Sequence, residues 1–358
     1  MSRLRAYIAE NPLYVLLLAL PVVLAAQLMD WSPIALFGLA ALAIVPMAGI
    51  IGDATEDIAA HTDPRMGALL NATFGNAAEL IITITAVRAG LLQLVIASIT
   101  GSIIGNLLLV LGFSMTLGGI RHGTQTFNKA NASRNAILLV LAVTTLIIPS
   151  LFSQSIELAS GSSSVEALSI GVAIVMIALY ALGLFDAARS PDSPLAVRVS
   201  EEDTPKRSMR QAIVMLLLAT LAVVWLSESL VHATEGVIQG LGISEFFIGI
   251  ILVPLIGNVA EHVVSVQMAL KNKMDLSTEI AISSSLQIAL FVAPLLVFVS
   301  LLLGNPLHLV LNRFELIALL ASVGIAVVVS ADGESTWLEG AGLLAIYAIL
   351  GLAFFLLP

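Results

Sequence analysis

The chain has 358 residues, of which 59% are hydrophobic and only 11% are charged, and its formal net charge is −9. Soluble domains carry about 25% charged residues, so this composition excludes an ordinary soluble protein and indicates several membrane-spanning helices. The sequence contains no cysteine, which excludes disulfides, thiolate chemistry and cysteine metal sites.

The apolar segments, taken in chain order, predict an all-α integral membrane protein with about 11 transmembrane helices. Residues 1–27 are basic and then apolar, as in a signal peptide, but further apolar segments follow at once, so we predict a retained first helix. The predicted spans are 12–29, 33–60, 66–88, 92–119, 134–152, 166–186, 209–236, 245–270, 275–302, 314–330 and 336–357.

The positive charges predict the orientation of these spans, because cytoplasmic loops are enriched in Lys and Arg. With the N-terminus in the cytoplasm and the C-terminus outside, 13 of the 15 Lys and Arg residues lie inside. Only Arg88 and Arg313 then lie outside. We therefore expect a multi-pass protein in this orientation, in a prokaryotic plasma membrane.

A duplicated motif organises the chain. GNAAELIITITAV begins at Gly75, and GNVAEHVVSVQMA begins 182 positions later at Gly257. Each motif lies on the second helix of a set of five, and an odd number of helices inverts the second copy in the membrane. We predict an N-terminal transmembrane helix at 1–30, inverted-topology repeats of five helices at 31–187 and 209–358, and a cytoplasmic linker at 188–208.

The helix after each motif carries a second matching pair of polar residues. Ser102 and Asn106 have the same i, i+4 spacing as Ser283 and Gln287, at an offset of 181. Substrate sites of inverted-repeat transporters lie near the bilayer midplane at the repeat interface. We therefore expect these four side chains to approach the two motifs.

Each motif places a glutamate close to the middle of a predicted span. At about 1.5 Å of rise per residue, Glu79 and Glu261 lie within about 5 Å of their span centres. An ionised acid there costs about 2.5–3.5 kcal/mol on insertion scales, so a cation, a proton or hydrogen bonds must compensate. A single intramembrane glutamate is often simply protonated, but two at equivalent positions with the same polar neighbours favour a shared site.

The polar side chains around the glutamates are carboxylates, amides and hydroxyls, and such hard oxygen donors suit Ca²⁺. Gly75 and Gly257 allow the helix to open and present carbonyl groups. Serine and asparagine in membrane helices are also common interhelical contacts, and that alternative stays open for the serines. The predicted metal ligands are Glu79, Glu261, Asn76, Asn258, Ser102, Asn106, Ser283, Gln287, Gly75 and Gly257.

Other ionisable residues are candidates for a proton pathway or for supporting contacts. Asp53 and Glu56 lie towards the cytoplasmic end of the second span, and Glu228 lies towards the outer end of the seventh. His262 follows the second glutamate and is a candidate proton carrier, a partner of Glu261 or a residue of an aqueous vestibule. Simple solvation at a helix end is the alternative, and we expect it for Asp57 and Glu235.

The paired Gly-Asn-x-x-Glu motifs, the His after the second Glu, and the Ser-x-x-x-Asn and Ser-x-x-x-Gln pairs resemble the Ca²⁺/H⁺ exchangers of the cation/proton exchanger (CAX) family. GALLNATFGNAAELI and PLIGNVAEH are similar to its two signature repeats. The resemblance covers essentially the whole chain, within the wider Ca²⁺/cation antiporter superfamily. It implies that Glu79 and Glu261 bind Ca²⁺ and protons in turn. The sodium/calcium branch has Ser or Thr and a Pro before the acid, so the Asn and Ala here favour protons as counter-ion.

The resulting prediction is a Ca²⁺/H⁺ exchanger that moves Ca²⁺ out of the cytosol by alternating access. The alternatives are a Na⁺/Ca²⁺ or Na⁺/H⁺ antiporter, another divalent cation (Mn²⁺, Cd²⁺)/H⁺ antiporter, a cation channel, or an intramembrane enzyme. The sequence has no His-Glu-x-x-His or Ser-Lys pattern, which disfavours an enzyme. We expect Ca²⁺, H⁺ and the lipid bilayer as partners, no cofactor and no nucleic acid; a homo-oligomer stays open.

Overall fold

A computed structural model of the protein describes residues 12–62, 66–67, 70, 73–187, 189 and 206–357. Of the predicted cytoplasmic linker, only Arg189 and the residues from Lys206 onwards lie within this part of the chain. The division of the sequence into a first helix, two repeats and a linker therefore stays a prediction in its boundaries.

The described residues are almost entirely helical. A 3₁₀ turn, Pro12–Leu18, continues into α1, and a two-residue ribbon pairs β1 with β2 antiparallel. The elements in chain order are α1 (Ala19–Leu28), α2 (Pro33–Ala60), α3 (Ala77–Arg88), α4 (Leu92–His122), β1 (Gln125–Thr126), α5 (Lys129–Ser160), α6 (Ser162–Ala187), α7 (Met209–Leu241), α8 (Glu245–Gly257), α9 (Val259–Leu270), α10 (Met274–Leu303), α11 (Arg313–Val329), β2 (Glu334–Ser335) and α12 (Trp337–Phe355).

The helices confirm an integral membrane protein. Within the described residues, α2, α4, α5, α6, α7, α10 and α12 are each long and apolar enough to cross a bilayer. The bent pair α8–α9 makes an eighth span if it is counted as one. The predicted count of about 11 is compatible with this architecture, because shorter apolar helices occupy the remaining predicted spans.

Polar caps set where several of these helices begin. Ser208 and Gln211 form a capping box at the start of α7, and Asn312 and Glu315 form one at the start of α11. Each box satisfies backbone N–H groups that the first helical turn leaves without partners. Short polar segments between long apolar runs thus end one span and begin the next.

The first helices of the two predicted repeats, α2 and α7, run antiparallel. Gly236 near the end of α7 lies against Pro33 at the start of α2, whereas Asp57 near the end of α2 bonds to Arg207 just before α7. This arrangement defines two ends of the bundle, which we call the Arg207 face and the Arg88 face.

Loop contacts join the two halves at the Arg207 face. Gln125 of β1 donates to Asn272 and to the carbonyl of Ala269, and His122 contacts the carbonyl of Leu270. The ribbon between β1 and β2 lies beside these contacts and connects the end of α4 with the last helical hairpin.

The most enclosed span is α4, with 94% of its apolar stretch buried, compared with 22% for α6 and 17% for α12. Its backbone crosses that of α8 without intervening side chains. A side-chain carbon at Gly101 would overlap the carbonyl of Ile250, and one at Gly249 would overlap the backbone of Leu94. Gly101 therefore allows close helix packing, which brings α4 to the centre of the molecule beside both motifs.

Candidate metal centre

Both Gly-Asn motifs interrupt a helix. Asn76 precedes the first residue of α3, with φ −97° and ψ 19°, and Asn258 precedes α9, with φ −107° and ψ 6°. The axes of α8 and α9 differ by 61° across this break. Glu79 and Glu261 are consequently the third residues of α3 and α9, where the positive end of the helix dipole favours a carboxylate.

The two breaks meet at the centre of the bundle. A side-chain carbon at Gly257 would lie 3.3 Å from both Cα and Cβ of Glu79, so the second motif packs directly on the acid of the first. Gly75 lies on the wall of the same cavity as Gly257. The predicted carbonyl ligands at these two glycines stay a prediction.

A chain of hydrogen bonds that involves residues of both halves holds Glu79. Its carboxylate is fully buried and accepts a bond from the Ser102 hydroxyl, and the Asn258 amide nitrogen donates to Ser102 Oγ at 3.1 Å. The first-half acid is therefore oriented by a chain that begins at the second-half asparagine.

A related set of contacts surrounds Glu261. Asn76 Nδ2 donates to Gln287 Oε1 at 2.7 Å, and Asn106 Nδ2 donates to Ser284 Oγ at 3.0 Å. Ser284 in turn interacts with the carboxyl group of Glu261. The structure thus places Gln287 and Asn106 as partners that orient Asn76 and Ser284; direct coordination of an ion by these two amides stays a prediction.

The structure corrects the predicted equivalence of Ser102 with Ser283. Ser284 occupies the equivalent position, because it contacts the second glutamate as Ser102 contacts the first. Its offset from Ser102 is 182, the same as between the two glutamates. One residue along a helix turns the side chain by about 100°. The Ser283 hydroxyl lies on the cavity wall, and its hydrogen bond, 3.5 Å long, is to the carbonyl of Ile280.

Four buried oxygen atoms of the motifs have no hydrogen-bond partner among the described residues. They are Asn76 Oδ1, Glu79 Oε2, Asn258 Oδ1 and Glu261 Oε2. Buried polar atoms are normally satisfied, so four at symmetry-related positions require an explanation. Both amide nitrogens are engaged with protein acceptors, which leaves the amide and carboxylate oxygens available. Such oxygens are the ligands that Ca²⁺ prefers.

The two carboxyl groups also repel one another. Two negative charges at the buried centre of the bundle repel each other, and a buried charge without a counter-ion is itself costly. Binding of one divalent cation, or of protons, removes both penalties at once. The free energy of the empty site is therefore high when both glutamates are ionised. Such a site favours the replacement of one positively charged occupant by another.

A cavity of about 260 Å³ leads from Glu261 towards the Arg207 face. Gly75, Gly257, Ser283, Ser284 and Gln287 line its inner part together with Glu261, and Tyr14, Asp53 and Glu56 lie further out. Glu79 is enclosed behind this wall. A second cavity, of about 960 Å³, lies at the Arg88 face, and neither glutamate lines it. In this conformation the site is reached from the Arg207 face.

The model of the sodium/calcium exchanger protein family matches residues 32–185 and 211–356. The chain belongs to this family. The match leaves out residues 1–31 and 186–210. The resemblance stated from the motifs is thereby confirmed at the level of the family.

Several known proteins are similar to this chain over nearly its full length. A Ca²⁺/H⁺ antiporter of Aphanothece halophytica is 43% identical, with 96% of both chains covered. The Ca²⁺/H⁺ antiporter ChaA of Bacillus subtilis is 42% identical, with 97% of this chain and 100% of the relative covered. The solved structure of native YfkE is 41% identical, with a TM-score of 0.85, and covers 96% of this chain and 100% of its own.

The remaining predicted residues of this family member are distributed over both faces. Asp53 and Glu56 line the cavity that contains Glu261, and Glu228 lines the opposite one. Glu228 forms an exposed ion pair with Arg88 at 3.2 Å, so its charge is balanced. His262 is partly buried beside Glu261, and its part in proton transfer stays a prediction.

Asp57 differs from the expectation of simple solvation. The structure buries it to 5% exposure, where it accepts bonds from Arg207 Nη1 at 2.7 Å and from the Lys206 backbone N–H at 2.8 Å. The chain preceding α7 folds back against the end of α2, a long-range contact that local sequence does not report.

The sequence contains a second repeated pattern, which relates the first helices of the two halves. Ala-Thr-Glu occurs at 54–56 and again at 233–235, on α2 and α7. Both threonines are buried and donate to the carbonyl four residues earlier, Thr55 at 2.7 Å and Thr234 at 3.0 Å. Glu56 is thereby equivalent to Glu235, on the opposite cavity wall, and Asp53 is equivalent to His232.

Proposed function

We propose that this protein is a Ca²⁺/H⁺ antiporter that exports Ca²⁺ from the cytosol by alternating access, with Glu79 and Glu261 binding Ca²⁺ or protons in turn. The observation that carries the proposal is the set of four buried oxygens that have no hydrogen-bond partner in the described part of the chain, contributed symmetrically by Asn76, Glu79, Asn258 and Glu261. Relatives that are 42–43% identical along nearly the full chain are named Ca²⁺/H⁺ antiporters, which supports the same cargo.

The charge balance of the site explains why the protein exchanges Ca²⁺ for protons and does not conduct ions as a channel does. Two carboxylates carry two negative charges, which one Ca²⁺ or two protons neutralise. The empty, doubly ionised site is costly in a low-dielectric interior, so the carrier changes conformation only when it is loaded. Release of Ca²⁺ on one face therefore requires protons to bind before the site returns.

The roles of the neighbouring residues follow from their contacts. Glu79, Glu261 and the amide oxygens of Asn76 and Asn258 supply ligands. Ser102 fixes the Glu79 carboxylate, and Ser284 with Asn106 supports the Glu261 side. Gln287 holds Asn76 through its amide oxygen. Gly75 and Gly257 allow the helix breaks and the close approach of the two motifs, and water completes the coordination of Ca²⁺.

We place the Arg207 face in the cytoplasm of a prokaryotic cell, with the C-terminus outside. The proposal rests on the distribution of Lys and Arg, of which 13 of 15 belong to the predicted cytoplasmic segments. The cavity that leads to Glu261 then collects cytosolic Ca²⁺, and the Arg88 face releases it. An inward proton gradient drives this direction of transport.

Proton release driven by Ca²⁺ tests the proposal. Purified protein in liposomes should release protons when Ca²⁺ is added to a pH-sensitive dye assay, without any sodium gradient. Glu79→Gln and Glu261→Gln each keep the side-chain shape but remove one charge, so both should fold and lose exchange. Glu157→Gln, an exposed glutamate at the end of α5, is the matched control and should exchange normally.

Three results would contradict this mechanism. Substantial exchange by either glutamine variant would show that the two glutamates are not jointly required. Transport that requires a sodium gradient would assign sodium as the counter-ion. Ca²⁺ flux that is not saturable and releases no protons would indicate a channel.

A further inference from the structure

The N-terminal helical segment, which has no counterpart in the second half, is fixed by polar contacts at both of its ends. Near its start, the Tyr14 hydroxyl donates to Asp53 Oδ2 at 2.6 Å. Near its end, Gln27 Nε2 donates to Ser229 Oγ at 2.6 Å, and Trp225 Nε1 donates to Gln27 Oε1 at 3.2 Å. The segment therefore contacts α2 at the Arg207 face and α7 at the Arg88 face.

The contact at the Arg207 face lies inside the cavity that leads to the site. Tyr14, Asp53 and Glu56 line it together with Glu261. An ion that moves from this face to Glu261 passes the Asp53 carboxylate. The orientation of this carboxylate is set by a residue outside both repeats.

The partner of Asp53 is neutral, and this distinguishes Asp53 from two other acids, Asp57 and Glu228. Asp57 is paired with Arg207 and Glu228 with Arg88, so a guanidinium cancels their charge. A distance of 2.6 Å is in the range of a hydroxyl that donates to an ionised carboxylate. The tyrosine thus fixes Asp53 and leaves its negative charge available to a cation.

From this contact we infer that Tyr14 is a positioning residue for Ca²⁺ on the Arg207 face: it holds the Asp53 carboxylate in the cavity, where the acid attracts Ca²⁺ on its way to Glu261. This inference rests on the proposed exchange function. Positioning lowers the Ca²⁺ concentration needed for half-maximal transport, and it leaves the reorientation of the loaded carrier unchanged.

The effect is expected on one face only. The position equivalent to Asp53 in α7 is His232, which lines the cavity at the Arg88 face. There the N-terminal segment bonds to Ser229 and Trp225, neither of which carries a charge. An exchanger built from two similar halves thereby acquires different cation affinities on its two faces.

Tyr14→Phe removes only the hydroxyl and tests the inference in membrane vesicles of both orientations. Loss of one hydrogen bond to a charged group should raise the KM for Ca²⁺ on the Arg207 face about three- to ten-fold. The maximal rate and the KM on the Arg88 face should stay within about twofold, the resolution of such an assay. Asp53→Asn and the double variant should show the same KM as each other, because the tyrosine acts through Asp53.

Two controls separate positioning from simple docking of the helix. Gln27→Ala loosens the other end of the same segment, and Tyr347→Phe removes a tyrosine hydroxyl on α12; both should leave the KM on the Arg207 face near the wild-type value. An unchanged KM in Tyr14→Phe, an equal change on both faces, or the same change in Gln27→Ala would overturn the inference while wild-type exchange persists. Absence of exchange by the wild type would overturn the proposed function as well.

Discussion

Gly257 packs directly against Glu79, so the helix break of one half forms the wall behind the acid of the other. A side-chain carbon at Gly257 would lie 3.3 Å from the Glu79 Cα, and these are backbone positions that cannot simply rotate away. The two motifs therefore meet through a contact between unlike members, the glycine of the second motif and the glutamate of the first.

Gly257→Ala should weaken Ca²⁺ transport without unfolding the protein. Overpacking costs about 1–3 kcal/mol, and here the strain falls on the residue that binds the ion. We expect a raised KM for Ca²⁺ in the vesicle uptake assay. Gly324→Ala on α11 is the control, because open space surrounds that glycine. Equal transport by both variants would show that the Gly257 contact does not shape the site.

Two adjacent serines offer a sharper comparison. Ser284 contacts Glu261 and accepts from Asn106, whereas Ser283 bonds to the carbonyl of Ile280. Ser284→Ala should therefore raise the KM for Ca²⁺ about tenfold, as expected for the loss of a hydrogen bond to a charged group. Ser283→Ala should change it by less than about threefold. The reverse order would restore the equivalence of Ser102 with Ser283 that the sequence predicts.

The difference between Ser283 and Ser284 shows which features of the site the local sequence can predict and which it cannot. The sequence predicts the glutamates, the asparagines and Ser102 as site residues because composition, midplane position and the repeat point to them together. Ser284 stood in a run of three serines, 283–285, and no local pattern indicates which of them faces Glu261. The helix register that decides this depends on how α10 packs on its neighbours.

Long-range contacts cannot be predicted from the local sequence either. The local sequence predicts a solvated helix end at Asp57, but the fold places Arg207, 150 positions later, beside it. Tyr14 lies in an apolar segment, and only the folded chain brings it to Asp53. Helices and their order follow from local hydropathy, whereas pairing between distant polar groups is set by the tertiary fold.

The orientation of the protein is testable because the chain contains no cysteine. A single cysteine introduced by Ser193→Cys in the predicted linker should react with a membrane-impermeant maleimide only from the cytoplasmic side. A cysteine at Asn305, before α11, should react only from outside. Labelling of the linker from outside would reverse the orientation and the direction of transport assigned to the two faces.

Two ion pairs should differ in their contribution to stability. Asp57→Asn removes the negative charge that pairs with Arg207, at a site where Asp57 is 5% exposed, so we expect a lower unfolding temperature and a loss of about 1–3 kcal/mol. Glu228→Gln breaks the Arg88 pair, which is largely exposed, and should cost less than about 1 kcal/mol. Thermal unfolding in detergent measures both. Equal shifts would contradict the difference in burial.

The pH dependence of Ca²⁺ binding follows from competition for two carboxyl groups. Protons and Ca²⁺ occupy Glu79 and Glu261 alternately, so a higher pH on the loading side removes the competitor and lowers the KM for Ca²⁺. If each Ca²⁺ displaces two protons, the logarithm of KM should fall with pH with a slope between about one and two. Uptake in vesicles at fixed internal pH and varied external pH measures this slope.

The variant His262→Gln decides whether the glutamates or the neighbouring histidine bind the competing protons. An unchanged slope keeps the assignment to Glu79 and Glu261. A slope reduced by about one unit would assign one of the two protons to His262.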